Sequence, residues 1–215
     1  MSNLELDRLS IKDLSTLKRG IEKESLRVSI SGQLSQQPHP VNLGSALTHT
    51  NITTDFSESQ LELITDTHEQ VDSCLRQLRE IHQFVSRNIS HEHLWCSSMP
   101  CMLPQDDQIP IAQFGNSNIA TAKTVYRNGL AVRYGSKMQT ISGIHYNFSL
   151  ANDTWSRIFG QPQDRNELTT LKNEHYFSLI RNFRRHAWLL LYLFGASPAV
   201  CDCFVEGRVH HLKNL

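Results

Sequence analysis

The chain has 215 residues, of which 39% are hydrophobic and 20% are charged, a composition typical of globular proteins with a sizeable core. Its 21 basic and 21 acidic residues cancel, so no overall field favours nucleic acid or an anionic membrane. The start lacks a signal-peptide pattern, and the most apolar window, 187–201, is too short to cross a bilayer. Five cysteines without framework spacing indicate reduced thiols. We therefore expect a cytoplasmic protein with no nucleic-acid or membrane partner.

Hydrophobic spacing predicts helices and strands in separate groups along the chain. In chain order, the expected elements are a helix at 10–17, a strand at 21–30, a strand at 60–65, a helix at 71–89, an irregular segment at 91–115, a helix at 117–134, a strand at 141–150 and a helix at 167–194. The last helix is expected to bury one apolar side, formed by Leu168, Leu171, Ile180, Phe183, Ala187, Leu190, Leu191 and Phe194. Segregated strands and helices favour an α+β fold with a largely antiparallel sheet and helices packed on one face.

The first predicted strand places two carboxylates on the row that a sheet would bury. Side chains alternate along a strand, so Glu22 and Glu24 share a face with the apolar residues Leu26, Val28 and Ile30. The opposite row is polar and is expected to face water; it consists of Lys23, Ser25, Arg27 and Ser29. Because an unpaired buried carboxylate is costly, this arrangement calls for a compensating positive charge.

Further ionisable and amide groups follow the other two strands. Glu62 lies on the second strand with Asp55 just before it, and His145 and Asn147 share one row of the third. Clustered carboxylates repel one another, and Mg2+ prefers oxygen ligands that it shares with substrate phosphates. The pattern therefore indicates a divalent-cation site on the inner face of the sheet.

Each of these features also has a simpler interpretation. Glu22 and Glu24 could occupy a solvated strand end, His145 could be a hydrogen-bonded structural residue, and Arg127 and Arg133 could be surface residues of their helix. Glu58 is expected to face solvent. A separate zinc site could be drawn from Cys201, Cys203, His210 and His211, but it lacks the two-residue gap usual between paired zinc cysteines.

Several strings are far more specific than these patterns, and in this order and spacing they resemble the proteobacterial type of glutamate-cysteine ligase over about 18–206. They are RGIEKESLRV, GSALTHTNITTDFSESQLELIT, SMPCML, KTVYRNGLAVRYG, MQTISGIHYNFSL and YLFGASPAVC. The resemblance implies a glutamine-synthetase-like ligase fold, incomplete here, with 1–215 forming the N-terminal part of a single catalytic domain. It implies ATP-dependent ligation of the side-chain carboxylate of L-glutamate to L-cysteine through a glutamyl phosphate. This reaction begins glutathione synthesis.

The resemblance also implies roles for individual residues. The positions matching metal ligands, for Mg2+ or Mn2+, are Glu22, Glu24, Asp55, Glu62 and His145. Catalytic roles fall to Arg127, Glu24 and Glu62, and nucleotide binding falls to Ile141 and His145. Substrate-binding positions are Phe56, Tyr126, Leu130, Gln139 and Asn147. Cys101 matches a family cysteine near the site, without an assigned role.

Members of this family are more than twice as long as this chain. The resemblance therefore implies that later strands are absent, that the isolated chain does not complete the ligation, and that unpaired sheet edges allow self-association. Three interpretations stay open: an N-terminal fragment of a ligase, a shortened homologue that binds nucleotide or glutamate without catalysis, and a carboxylate-amine ligase using another amine. A non-enzymatic scaffold is a fourth.

Overall fold

The computed structural model describes residues 10–100, 102–160, 163–195, 199–200, 202–205 and 213–214. The chain divides into two compact units. The sheet unit comprises Arg19–Phe148 and Cys201–His210. The helical unit comprises Met1–Lys18, Ser149–Val200 and His211–Leu215.

A five-stranded sheet organises the sheet unit. Its strands are β1 (Lys18–Ser29), β2 (Ile52–Thr54), β3 (Gln60–Ile64), β4 (Glu92–Leu94) and β5 (Ile144–Ser149). The order is β2-β3-β1-β4, with antiparallel pairing throughout that path, and β5 also pairs with β1. The predicted α+β fold with a largely antiparallel sheet is confirmed. The sequence missed β2 and β4, because three residues are too few to display a period of two.

Helix α2 (Val71–Asn88) covers part of this sheet. Its Ile81 and Val85 pack with Leu61 and Leu63 of β3 in one hydrophobic cluster. A second cluster contains Leu26 and Val28 of β1. The glutamate row of β1 therefore continues into a true core at its C-terminal half.

Helix α3 (Asn118–Tyr134) is bounded by signals visible in the sequence. The Ser117 hydroxyl accepts a hydrogen bond from the Ala120 amide at 3.2 Å, and Gly135 ends the helix with φ of 84°, which favours glycine. The short helix α4 (Ser136–Gln139) follows at once. These two helices bring the predicted residues of 126–139 into the sheet unit.

The opposite row of β1 does not face water, contrary to the prediction. Ser25 and Arg27 are fully buried, whereas Ile30, predicted to lie with the apolar row, is exposed. Arg27 can be buried because its guanidinium donates to the Glu92 carboxylate at 2.6 Å and to the carbonyl oxygens of Gln37, Pro38 and Glu58.

Glu58 is also buried, so the prediction that it faces solvent was wrong. Its two carboxylate oxygens accept hydrogen bonds from the backbone amides of His39 and Gln113, each at 2.5 Å. These amide donors replace water around the charge. Glu58 therefore serves the packing of the loops around β3.

The helical unit contains α1 (Ile11–Ser15), α5 (Asn152–Phe159) and α6 (Arg165–Phe194). Trp155 of α5 lies edge-on to Tyr176 of α6, with ring centroids 5.1 Å apart. A small parallel pair, β6 (Ala199–Val200) and β7 (Lys213–Asn214), belongs to the same unit. The last described element of the sheet unit is α7 (Asp202–Val205).

The predicted burial of one side of α6 is wrong for this chain. No described α6 side chain is buried, and Ile180 and Phe183 are 52% and 58% exposed. Periodicity reveals that a helix has an apolar stripe, but only a packed neighbour buries it. Among the described helices, none combines the length and apolar character that crossing a bilayer requires.

Candidate active site

The strand register places the predicted carboxylates on one face. Glu24 of β1 lies directly opposite Glu62 of β3, and Glu22 lies opposite Ile64. Directly opposed residues of antiparallel strands project to the same side of the sheet. Glu22, Glu24 and Glu62 are therefore neighbours, and with Asp55 we call them the carboxylate face.

Strand β5 contributes two more predicted residues. His145 places Nδ1 3.1 Å from Oε2 of Glu22, and the Asn147 amide donates to Oε1 of Glu22 at 2.9 Å. The hydrogen bond to Glu22 raises the pKa of His145. Both oxygens of Glu22 are thus held by β5.

Glu24 is held by the segment that leads into β5. The Gly143 amide donates to Oε2 of Glu24 at 2.8 Å, and the Glu24 amide donates back to the Gly143 carbonyl at 3.0 Å. A Cβ at position 143 would lie 3.2 Å from Nε2 of His145, so the imidazole would have to shift by a few tenths of an ångström. Glycine allows the close approach of these two residues.

The carboxylate face is electrostatically strained. Burial, followed by the charges of Asp55 and Glu24, raises the pKa of Glu62 to about 7. Burial also raises the pKa of Glu24, although the Gly143 hydrogen bond opposes the shift. Like charges in a partly desolvated site favour binding of a cation or a proton. In the described part of the chain, however, no group of three or more His, Cys, Asp or Glu side chains is already arranged to hold a metal ion.

Arg127 reaches the edge of this face from α3. Its Nε donates to the Asp55 carbonyl, one terminal nitrogen lies 3.9 Å from the Asp55 carboxylate, and the guanidinium stacks 4.5 Å from the centre of the Phe114 ring. Burial lowers the pKa of Arg127, while Asp55 and Glu62 oppose that change. This gives a fixed planar cation beside a carboxylate cluster, suited to phosphate or carboxylate oxygens.

The remaining predicted residues are less uniformly placed. Phe56 lies in the second hydrophobic cluster, against which Leu130 packs, whereas Tyr126 is 65% exposed on α3. Gln139 ends α4, and Ile141 directly precedes the segment that holds Glu24. The substrate and nucleotide roles of these residues stay predictions.

Two suggestions from the sequence concern residues outside the described part of the chain. The first is the family cysteine, Cys101. The second is the alternative zinc site, which needs Cys201, His210 and His211 and the undescribed side chain of Cys203.

Sequence reasoning missed Gln60 and Ser142, which support Glu24. Gln60 is fully buried and its amide nitrogen lies 3.4 Å from Oε2 of Glu24 and 3.3 Å from the Ser142 hydroxyl. One signal was available, because alternation in QLELI puts Gln60 on the same row as Glu62. Gln60 is a polar side chain opposite Leu26 in a predicted core, so it needs a hydrogen-bond partner, which the alternation of the strand cannot identify.

The family model described as glutamate-cysteine ligase matches residues 5–215. The chain belongs to the glutamate-cysteine ligase family. A glutamate-cysteine ligase from Hahella chejuensis is 53% identical over 212 residues, covering 98% of this chain and 40% of that relative. One from Saccharophagus degradans is 52% identical over 202 residues, covering 94% and 38%. The chain therefore spans about two fifths of the length of these curated ligases.

Two solved structures have a similar fold. A glutamate-cysteine ligase from Francisella tularensis, crystallised with AMP, is 41% identical with a TM-score of 0.76, covering 89% of this chain and 37% of that one. A bifunctional glutathione synthetase from Pasteurella multocida is 36% identical with a TM-score of 0.79, covering 94% and 26%. The predicted family and ligase fold are confirmed.

Proposed function

We propose that this chain contributes the glutamate- and nucleotide-binding sheet of an enzyme that uses ATP to ligate L-glutamate to L-cysteine. The observation that carries the proposal is the pairing of Glu24 with Glu62 on one sheet face, with Arg127 at its edge. Membership of the ligase family and the AMP complex of the Francisella tularensis ligase support a nucleotide. We propose that both compact units form part of one catalytic domain, since the family match spans them.

The donor chemistry fits Mg2+ or Mn2+. The oxygens of Glu22, Glu24, Asp55 and Glu62, with the His145 imidazole, would hold the ions. The raised pKa of Glu62 indicates a local excess of negative charge that a cation would relieve. When bound, such ions neutralise phosphate charge and align the reacting oxygens.

The protein side chains would then orient three substrates, namely glutamate, ATP and cysteine. The glutamate side-chain carboxylate attacks the terminal phosphorus of ATP and ADP leaves, giving an acyl phosphate. The cysteine amine attacks the acyl carbon, loses a proton, and phosphate departs as the amide forms. Arg127 would bind a phosphoryl oxygen, while Tyr126, Leu130, Gln139 and Asn147 would line the amino-acid site and Ile141 the nucleotide site. Phe56, which lies in the second hydrophobic cluster directly after Asp55, would also contribute to the amino-acid site.

A cytoplasmic location is part of the proposal, because ATP and reduced cysteine are available there. The two cysteines whose side chains are described, Cys74 and Cys96, are free thiols, as a reducing compartment requires. Self-association is also proposed, because β5 exposes Ile144 and Tyr146. Sedimentation at several concentrations tests this; a monomer at all of them would refute it.

The central test measures binding of Mg2+ and ATP to the purified 215-residue chain by calorimetry, together with ADP release in the presence of glutamate and cysteine. We expect saturable, Mg2+-dependent ATP binding that is lost in Glu24→Gln and Glu62→Gln. Glu69→Gln, an exposed carboxylate next to the same sheet, is the matched control and should bind like the unmodified chain. Unchanged affinity in the site variants would refute the proposal and favour a scaffold.

The coverage of only about two fifths of the curated relatives gives a second candidate function. Binding of nucleotide and glutamate without ADP release would support a non-catalytic binding protein. ADP release that depends on glutamate but accepts other amines equally would indicate a different carboxylate-amine ligase. Release that requires both glutamate and cysteine supports the proposed reaction.

A further inference from the structure

Gln60 is a costly residue to bury at its position. Its side chain is 0% exposed, and its Oε1 has no hydrogen-bond partner among the described residues. Burying an unsatisfied amide oxygen costs free energy that a leucine or methionine of similar volume would avoid. The presence of glutamine in this core therefore calls for an explanation other than packing.

The partners of the amide nitrogen supply that explanation. Nε2 lies 3.4 Å from Oε2 of Glu24 and 3.3 Å from Oγ of Ser142, so it links β3 to β1 and to the segment before β5. The reversed amide orientation would place Oε1 against an ionised carboxylate, which is repulsive. The charge of Glu24 thus selects the donor end of Gln60.

Ser142 is itself fixed in place. Its amide donates to the Ser98 carbonyl at 3.0 Å, and the Ser98 hydroxyl donates to the Ser142 carbonyl at 2.5 Å. The next residue, Gly143, donates to the same Oε2 of Glu24 at 2.8 Å. Two donors from different segments therefore converge on one oxygen of Glu24.

In the described part of the chain, the hydrogen bonds to the Glu24 carboxylate all reach Oε2. No hydrogen bond to the other oxygen, Oε1, is found among the described residues, and the Glu24 side chain lies on the sheet face that it shares with Glu62. We propose that Gln60 is a positioning residue that, with Ser142 and Gly143, fixes the Glu24 carboxylate so that Oε1 is presented to a divalent cation. This inference rests on the proposed function, because it assumes that the carboxylate face binds a cation.

The test measures Mn2+ binding to the whole chain by electron paramagnetic resonance. Thermal unfolding of the same variants is measured in parallel. Gln60→Met keeps side-chain length and removes the donor, and should weaken Mn2+ binding roughly 10-fold, as loss of an outer hydrogen bond to a ligand often does. The melting temperature should stay the same or rise, since the unpaired amide oxygen is also removed. Ser142→Ala should weaken Mn2+ binding less, in the same direction.

Thr154→Val is the matched control, because Thr154 is also fully buried with a hydroxyl that lacks a hydrogen-bond partner among the described residues. Its Mn2+ affinity should equal that of the unmodified chain. Equal losses in Gln60→Met and Thr154→Val would mean a general structural effect and overturn the inference. If Gln60→Met does not fold, Ser142→Ala decides, since it retains Gln60.

The two levels of the proposal fail differently. If Mn2+ binds and Glu24→Gln abolishes binding, but Gln60→Met and Ser142→Ala bind normally, the positioning role is refuted and the proposed function stands. If the unmodified chain binds no Mn2+, the cation site is refuted and the positioning role falls with it.

Discussion

One strand of this protein carries two contrasting groups of charge on its opposite rows. On one row, Arg27 is fully buried and its charge is matched by Glu92 and by carbonyl oxygens. On the other, Glu24 faces Glu62, and burial with like charge raises the pKa of both carboxyl groups. We call the first group, completed by Glu58 and His39, the arginine cluster. Removing one partner of a buried ion pair destabilises the fold because it leaves the other charge uncompensated, whereas a cluster of one sign indicates a binding site.

The largest expected effect is on the arginine cluster. Among the described ion pairs, Arg27 is the only cation paired with Glu92, so Arg27→Met leaves that carboxylate without a compensating charge. We expect a loss of about 3–5 kcal/mol in the free energy of unfolding. Urea denaturation measures it. Arg79→Met, on the exposed surface of α2, should change stability little. If the Arg27→Met and Arg79→Met variants were equally stable, Arg27 would not have the stabilising role that distinguishes its row from the glutamate row.

On the carboxylate face, substitutions should affect binding more than stability. Arg127→Lys keeps the charge but loses the planar fork beside Asp55, so we expect roughly 10-fold weaker binding of MgATP, the order expected for one charge-assisted hydrogen bond. Isothermal calorimetry measures the change. Arg133→Lys on the same helix is the control. A large stability loss in Arg127→Lys without any loss of affinity would assign Arg127 to the fold.

The raised pKa of Glu62 predicts a characteristic pH dependence. The Glu62 carboxyl group keeps its proton up to about pH 7 in the folded state but only up to about pH 4.5 in the unfolded state. Its contribution to stability is therefore fully present below pH 4.5 and is lost as the pH rises through 7. Glu62→Gln should therefore raise the melting temperature by about 2–4 °C at pH 8, roughly 1 kcal/mol after allowance for solvent screening.

At pH 4.5 the same substitution should change little. Thermal unfolding in EDTA, with Glu69→Gln as control, measures both values. Added Mg2+ should reduce the difference at about pH 8. An equal shift at both pH values would show that charge is not its cause.

The smallest expected effect concerns His39 in the arginine cluster. Burial and the nearby Arg27 charge lower the pKa of His39 to about 4, and its Nδ1 lies 2.7 Å from the Thr54 hydroxyl. The contribution of neutral His39 to the free energy of unfolding is fully present above pH 6.5 and is lost as the pH falls through about 4. This pH dependence has the opposite sign to that of Glu62. His39→Gln should flatten this acid-side slope. An unchanged slope in urea titrations between about pH 6.5 and 4.5 would show that another group causes it.

How much of the site could be predicted depended on the kind of signal. Alternation along β1 and β3 was enough to place Glu22, Glu24 and Glu62 on inner rows, and the family strings added Asp55, Arg127 and His145. Alternation could not reveal that Arg27 is buried. That outcome depends on Glu92 and the 37–38 carbonyls, which are distant in sequence and meet Arg27 only after folding.

The apolar stripe of α6 is the converse case, since burial was predicted there and no described side chain of the helix is buried. Its spacing predicted the helix but not its exposure, because a local repeat cannot specify whether a neighbour covers it. Alternation in β3 placed Gln60 on the row of Glu62, but it could not show that Gln60, Ser142 and Gly143 support Glu24, since this contact joins three segments.

The sequence by itself determined the family, the main strands and helices, and the rows of Glu22, Glu24 and Glu62, because these follow from short strings and local periodicity. Only the tertiary structure decided that Glu24 lies opposite Glu62 and that Arg27 finds its partners in the interior. Strand register and the solvation of a charge depend on residues far apart in the chain, and they are fixed only when those residues pack together.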